Sequence, residues 1–129
     1  MQNYEQFHDG SLDGLLIDQT SVHVFLSTEE KRPYVMVVGG VLALSANGFK
    51  AGNIIFEVLT RQKVEITLQD IRETYGLSVE AGGQEQAQKL LEKARERNLI
   101  VLEINPSYGA TCIILAESIR LLPRHEWRQ

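Results

Sequence analysis

One stretch limits what this chain can fold into. Residues 99–122, LIVLEINPSYGATCIILAESIRLL, hold two apolar runs on either side of Asn105, Pro106 and Gly109. The β-branched content of both runs favours strand, and proline and glycine between them predict a turn over residues 105–109. Residues 99–104 are apolar on both faces apart from Glu103, the pattern of a strand with neighbours on each side. Residues 110–116 return alongside it. Residues 119–122 extend that strand or add a last one, and residues 123–129 form a polar tail containing Trp127. The rest of the chain has to pack around this hairpin.

Upstream, residues 12–18 and 22–28 read as two short strands joined by the turn-rich Asp18-Gln19-Thr20-Ser21, hence a hairpin. In the second of them Val22, Val24 and Leu26 alternate with His23, Phe25 and Ser27, so the first set shares one face. Pro33 closes a charged loop and stops pairing. Residues 34–38 form a third strand. Gly39-Gly40 reads as a bulge or sharp bend before the strand resumes over residues 41–45. Asn47-Gly48 is a turn signal. Residues 52–60 give another strand, with Ile54, Phe56 and Val58 opposite Ile55, Glu57 and Leu59.

The period then changes. Thr67 stands where a helix N-cap belongs, Leu68, Ile71 and Tyr75 point one way, and Gly76 suits the C′ position. Ala81-Gly82-Gly83 reads as a flexible link. Over residues 84–97, Ala87, Leu90, Leu91 and Ala94 form one apolar stripe, which predicts a helix with both leucines buried. Asn98 is a suitable stop.

These patterns predict an α+β domain over residues 1–129. Its core is a bent, mainly antiparallel sheet, barrel-like if the bend nearly closes it, with two helices inserted before the last strand pair. At 129 residues the chain is long enough to bury one core without disulfide or metal. Its net charge of −4 sets up no overall field for DNA or RNA, so no nucleic-acid partner is expected. No apolar run approaches the roughly 20 residues of a membrane helix, and no membrane partner is expected. The N-terminus has no leader pattern, and Cys112 is the single cysteine, which favours the cytoplasm.

Few residues suggest chemistry. His8 and Asp9, with Ser11 and Asp13 close by, form the one dense polar cluster; a His–Asp pair can act as base and orienter or supply metal ligands. Asp9-Gly10 and Asp13-Gly14 are also turn and strand-entry chemistry, and that is the stronger reading of the cluster. Tyr108 at the hairpin tip suits a binding surface, or folds back on the core. His8, Asp9, Asp13 and Tyr108 are therefore the candidate binding residues, and no catalytic residue is assigned. His8, His23, His125 and Cys112 are too scattered for a zinc site, so no metal and no cofactor is expected. Neither glycine pair belongs to a phosphate loop. Lys89, Lys93, Arg95 and Arg97 are interleaved with Glu85, Glu92 and Glu96, the composition of a solvated helix face.

The opening Phe7-His8-Asp9-Gly10-Ser11-Leu12-Asp13-Gly14, leading into Leu15-Leu16-Ile17, resembles the start of a group of small uncharacterised bacterial proteins with an HD-x-x-hydrophobic segment. Residues 39–44, Gly52-Asn53-Ile54-Ile55 and Pro106-Ser107-Tyr108 fit the same pattern. Some members of that group are immunity-protein-like and block a toxin by binding it. The resemblance implies an α+β domain and favours binding over catalysis. Together these observations predict a non-enzymatic protein-binding module. The alternatives are a small enzyme or small-ligand-binding protein using His8, Asp9 and Asp13, or a homo-oligomer paired through exposed sheet edges.

Overall fold

The computed structural model describes residues 1–128; Gln129, the end of the expected tail, lies outside the described residues. The described residues form nine strands, β1 (Gln2–Asn3), β2 (Ser11–Asp18), β3 (Ser21–Ser27), β4 (Pro33–Gly39), β5 (Ala43–Asn47), β6 (Asn53–Gln62), β7 (Ile100–Tyr108), β8 (Thr111–Ala116) and β9 (Ser118–Pro123). Helices α1 (Leu68–Tyr75) and α2 (Ala81–Glu96) lie between β6 and β7. All pairings are antiparallel, in the order β5-β8-β7-β6-β2-β3-β4-β9, with β1 beside β6. The fold is α+β, and its one sheet is strongly bent but not closed: the ladder has two ends.

Those ends come together at two corners. β4 leads into β5 through residues 40–42, although the two lie far apart in the ladder, and β8 leads into β9 through Glu117 alone. The Glu117 N–H donates to the carbonyls of Gly39 and Gly40, at 3.0 and 3.2 Å, which ties the corners together. Gly39-Gly40 is thus a corner where the chain changes partners, not a bulge within one strand. Gly40 has φ +61°, and a Cβ there would strike the Glu117 side chain.

The bend explains why β7 is apolar on both faces. Leu102 and Ile104 point into the concave core with Phe7, Leu12, Val24, Leu26 and Met36. Val101 points the other way, with Ile113 and Leu115, under Ile71, Ala87, Leu91 and Ala94 of the helices. Leu91 is buried, while Leu90 is only half-buried at the margin of that cluster, so the predicted burial of the two leucines holds for one.

Three local expectations give way. The turn predicted over residues 105–109 is mostly strand: β7 runs to Tyr108, and the chain turns at Gly109, φ +92°. Pro106 is accommodated because it faces an irregular part of the β6 ladder, where the missing N–H breaks no regular pairing. Ala81-Gly82-Gly83 is the first turn of α2 rather than a link. Pro33 opens β4, opposite Ser27, instead of standing outside the pairing. The α1 start is as predicted and stronger: Thr67 and Asp70 form a reciprocal capping box, and Arg61 of β6 makes two bonds to Asp70, at 2.6 and 3.1 Å, while pairing with Glu103 of β7 at 2.8 Å.

Candidate functional site: the His8 turn and the exposed face of β6

The N-terminal segment lies along one edge of β6. β1 pairs with Leu59 and Thr60, and the Tyr4 N–H donates to the Val58 carbonyl at 2.9 Å. A 3-10 turn, Glu5–Phe7, then buries Phe7 edge-on to Tyr34, with ring centres 5.5 Å apart. Asp9 follows with φ 63°, a left-handed conformation that aspartate tolerates better than most residues. Its N–H donates to the Ile55 carbonyl at 3.0 Å, and the Ile55 N–H donates to the Gly10 carbonyl at 2.9 Å. A Cβ on Gly10 would strike the Ser27 carbonyl, so the backbone path requires glycine at position 10. This path aims the His8 and Asp9 side chains at solvent.

His8 Nδ1 lies 2.8 Å from the Phe56 carbonyl, and Nε2 lies 3.6 Å from the Asp9 carboxylate. A carbonyl only accepts, so Nδ1 carries hydrogen and Nε2 is the nitrogen that gains or loses a proton. The Phe56 carbonyl, and after it the Asp9 charge, raise the His8 pKa above its ordinary value; Glu29 adds to this. The imidazole also stands edge-on to the Phe56 ring, at 5.7 Å between centres.

Around this turn the sheet shows an apolar surface. Ile54, Phe56 and Tyr108 are 42, 52 and 50% exposed, and Ile54 and Tyr108 are direct cross-strand partners. The cause is irregular pairing. The β6–β7 register shifts between Ile54 and Ile55 and again between Ile55 and Glu57, so Phe56 stands out of the ladder and the inward set becomes Ile55 and Val58. Strict alternation predicts Ile54, Phe56 and Val58 on one face.

Two grooves flank the turn. One, of about 360 Å³, is lined by Asn3, Tyr4, Glu5, His8, Phe56 and Glu57. The other, of about 290 Å³, includes Asp9, Ser11, Glu29, Lys31, Asn53 and Ile54. The charged groups lining the two grooves are Glu5, Glu57, Asp9 and Glu29 against Lys31 and the titratable His8, so the grooves are acidic on balance.

Of the four candidate residues, the structure gathers His8 and Asp9 in one turn and puts Tyr108 on the strand that pairs with β6. Asp13 belongs to a different cluster. It occupies a bulge in β2, where Oδ1 accepts from Ser11 and Oδ2 from Ser27, each at 2.6 Å, and Oδ2 also accepts from Arg124 at 2.8 Å. Burial pushes the Asp13 carboxyl up, but those three donors outweigh it and hold the group below its ordinary value. Ile54 and Phe56 are the residues the sequence does not single out; apolar residues on a strand carry no sign of which face water will see.

Cys112 is buried on β8, and burial pushes its thiol up to about 12, which leaves almost no thiolate at neutral pH. Among the described residues no group of three or more His, Cys, Asp or Glu side chains is placed to hold a metal ion, and no helix is long and apolar enough to cross a membrane. No family model matches the chain, and no curated protein or solved structure matches it either.

Proposed function

We propose that this chain is a non-enzymatic protein-binding module, immunity-like in acting by covering a partner's surface, and that it binds through the face of β6 and β7 beside the His8 turn. The observation that carries the reading is the exposure of Phe56, which stands against His8, and of the cross-strand pair Ile54 and Tyr108 on the same two strands, beside grooves whose charged lining is mostly acidic. Exposed aromatic groups with charged groups beside them are the composition of an interface hot spot. The matching partner is apolar where it meets the aromatic groups and basic where it meets the grooves. The single buried cysteine suits the cytoplasm.

The test is capture of a partner, its purification, and titration against wild type, Phe56→Ala, Tyr108→Ala and the remote control Gln88→Ala. Loss of about tenfold or more in affinity for the two aromatic variants, with the control unchanged, is the expected result. Equal affinity across all four overturns the assignment of the surface.

A second reading rests on the 360 Å³ groove beside His8, whose volume is that of a small-ligand site and whose walls combine Tyr4, Phe56 and a titratable imidazole. There the chain is a small enzyme or small-ligand-binding protein. A thermal-shift screen with a metabolite library, repeated on His8→Ala, tests it: a hit lost in the variant supports ligand binding.

A further inference from the structure

Apart from the Asp13 bulge, β2 is paired along its length on one side and along only its start on the other. Leu12 is its last partner of β6, opposite Asn53, and among the described residues Gly14 to Asp18 pair with β3 alone. The backbone groups on the open side can be identified. The hairpin closes on Asp18 opposite Ser21 with two residues between them, which makes that pair the hydrogen-bonded one. Alternation makes Leu16–His23 and Gly14–Phe25 hydrogen-bonded pairs as well. The N–H and C=O of Leu15 and Ile17 therefore point away from β3, into the open edge. The Ile17 side chain there is 61% exposed.

The other open edges carry obstacles. β9 presents Arg120 and ends on Pro123, and α1 packs on β5. The open part of β2, Gly-Leu-Leu-Ile-Asp, has no lysine, arginine or proline, the residues that usually discourage edge pairing.

We propose that this edge is a dimerisation site, where β2 of one copy pairs antiparallel with β2 of a second copy about a twofold axis through Leu16. In this register Leu15 faces Ile17 of the second copy, and each pair exchanges both bonds of a hydrogen-bonded pair, so every outward group at these positions gains a partner. Leu16 meets its own equivalent. Asp18 falls opposite Gly14 and Asp13 opposite Gln19, so no like charges oppose one another. The exposed Ile17 side chain comes to rest against Leu15. A centre at Leu15 or Ile17 instead leaves one of the two outward-facing residues opposite the hairpin turn or the Asp13 bulge. The site is separate from the β6–β7 surface proposed to bind a partner, and does not depend on it.

Sedimentation velocity over a concentration series tests the proposal, using the full chain, Ile17→Lys, Ile17→Pro and Phe56→Ala. Proline at 17 removes an N–H that β3 does not use. Circular dichroism and a thermal melt report whether each variant is folded. The expected result is a wild-type mass that rises to twice 14.6 kDa, with both Ile17 variants folded and half that mass, and with Phe56→Ala still dimeric. Should Ile17→Pro fail to fold, Ile17→Lys decides alone. A wild type that stays monomeric throughout overturns the proposal. So does a dimer that survives in folded Ile17→Lys, or one lost on Phe56→Ala, which would place the contact on the β6 face.

Discussion

The Arg124 guanidinium lies 2.8 Å from the Asp13 carboxylate, across 111 positions of sequence. It also donates to the carbonyls of Leu26, at 2.9 Å, and Tyr34, at 3.1 Å, and sits 5.3 Å from the centre of the Phe25 ring. One side chain thereby ties the end of the chain to β2, β3 and β4. With it comes Trp127, edge-on to both His23 and Phe25. Asp13, a candidate for binding on sequence grounds, is the acidic half of this tie.

Asp13→Ala is expected to cost about 1–2 kcal/mol at neutral pH, the low end for bonds to a charged group, because both partners are about a third exposed. The pH dependence has a definite sign. The folded-state carboxyl is held below its ordinary value of 3.8. Its ionised contribution is therefore complete above 3.8 and is lost as pH falls through the lower, folded value. Urea melts of wild type and Asp13→Ala should keep a constant gap from neutral pH to about 5 and converge only in stronger acid. A gap that closes by pH 5 would remove Asp13 from the tie.

Asn53 joins three parts of the fold that the sequence keeps apart. Its Oδ1 accepts from the N–H of Lys50, at 2.8 Å, and of Ala110, at 3.1 Å, and its Nδ2 donates to the Leu12 carbonyl at 3.3 Å. The side chain is buried, so Asn53→Ala leaves backbone groups without partners at a cost of about 2–4 kcal/mol. Gly109→Ala should act at the same point: φ is +92° there, and a new Cβ would strike Asn53 Oδ1. Chemical denaturation of each variant and the double variant checks this, with a double-variant cost well below the sum of the singles, because both break one contact.

The helices offer a matched pair. Leu91 is 4% exposed against Ile71 and Val101, and Leu90 is half-buried at the edge of the same cluster. Leu91→Ala should cost about 2–5 kcal/mol, the range for a buried leucine. Leu90→Ala should cost about 1 kcal/mol, the centre of the distribution for single substitutions. Equal costs, measured by urea unfolding, would mean that α2 is rotated relative to this packing.

What the sequence makes legible here follows range. Period-two alternation marks β3, the turn at residues 18–21 marks the hairpin it forms with β2, and Thr67 and Gly76 mark the ends of α1, because those signals act between near neighbours. The corner at Gly39-Gly40 is visible as two glycines, but the change of partner depends on Glu117, far along the chain. The exposure of Phe56 depends on where β7 falls out of step with β6. Arg124 bonds across the whole length of the chain, and Asn53, though part of a segment that fits the resemblance, shows nothing in the sequence of its bonds to Leu12 and Ala110. Among the site residues His8 and Asp9 were legible as a polar turn, whereas the apolar residues beside them were not.

His8 provides a test of the candidate site itself. Its pKa is raised above 6.5, first by the Phe56 carbonyl and then by Asp9. A raised folded-state value means that the stabilisation from protonating His8 is complete below 6.5 and is lost as pH rises through the folded value. Proton NMR of the imidazole should therefore show a midpoint above 6.5 in wild type. In Asp9→Asn the midpoint should fall only part of the way back, because the Phe56 carbonyl, the larger cause, is untouched. Phe56→Ala keeps that carbonyl and should leave the midpoint raised, provided the bulge persists. A midpoint at 6.5 in Asp9→Asn would mean that the bond to the Phe56 carbonyl does not form in solution. The imidazole would then be free to turn away from the Phe56 ring.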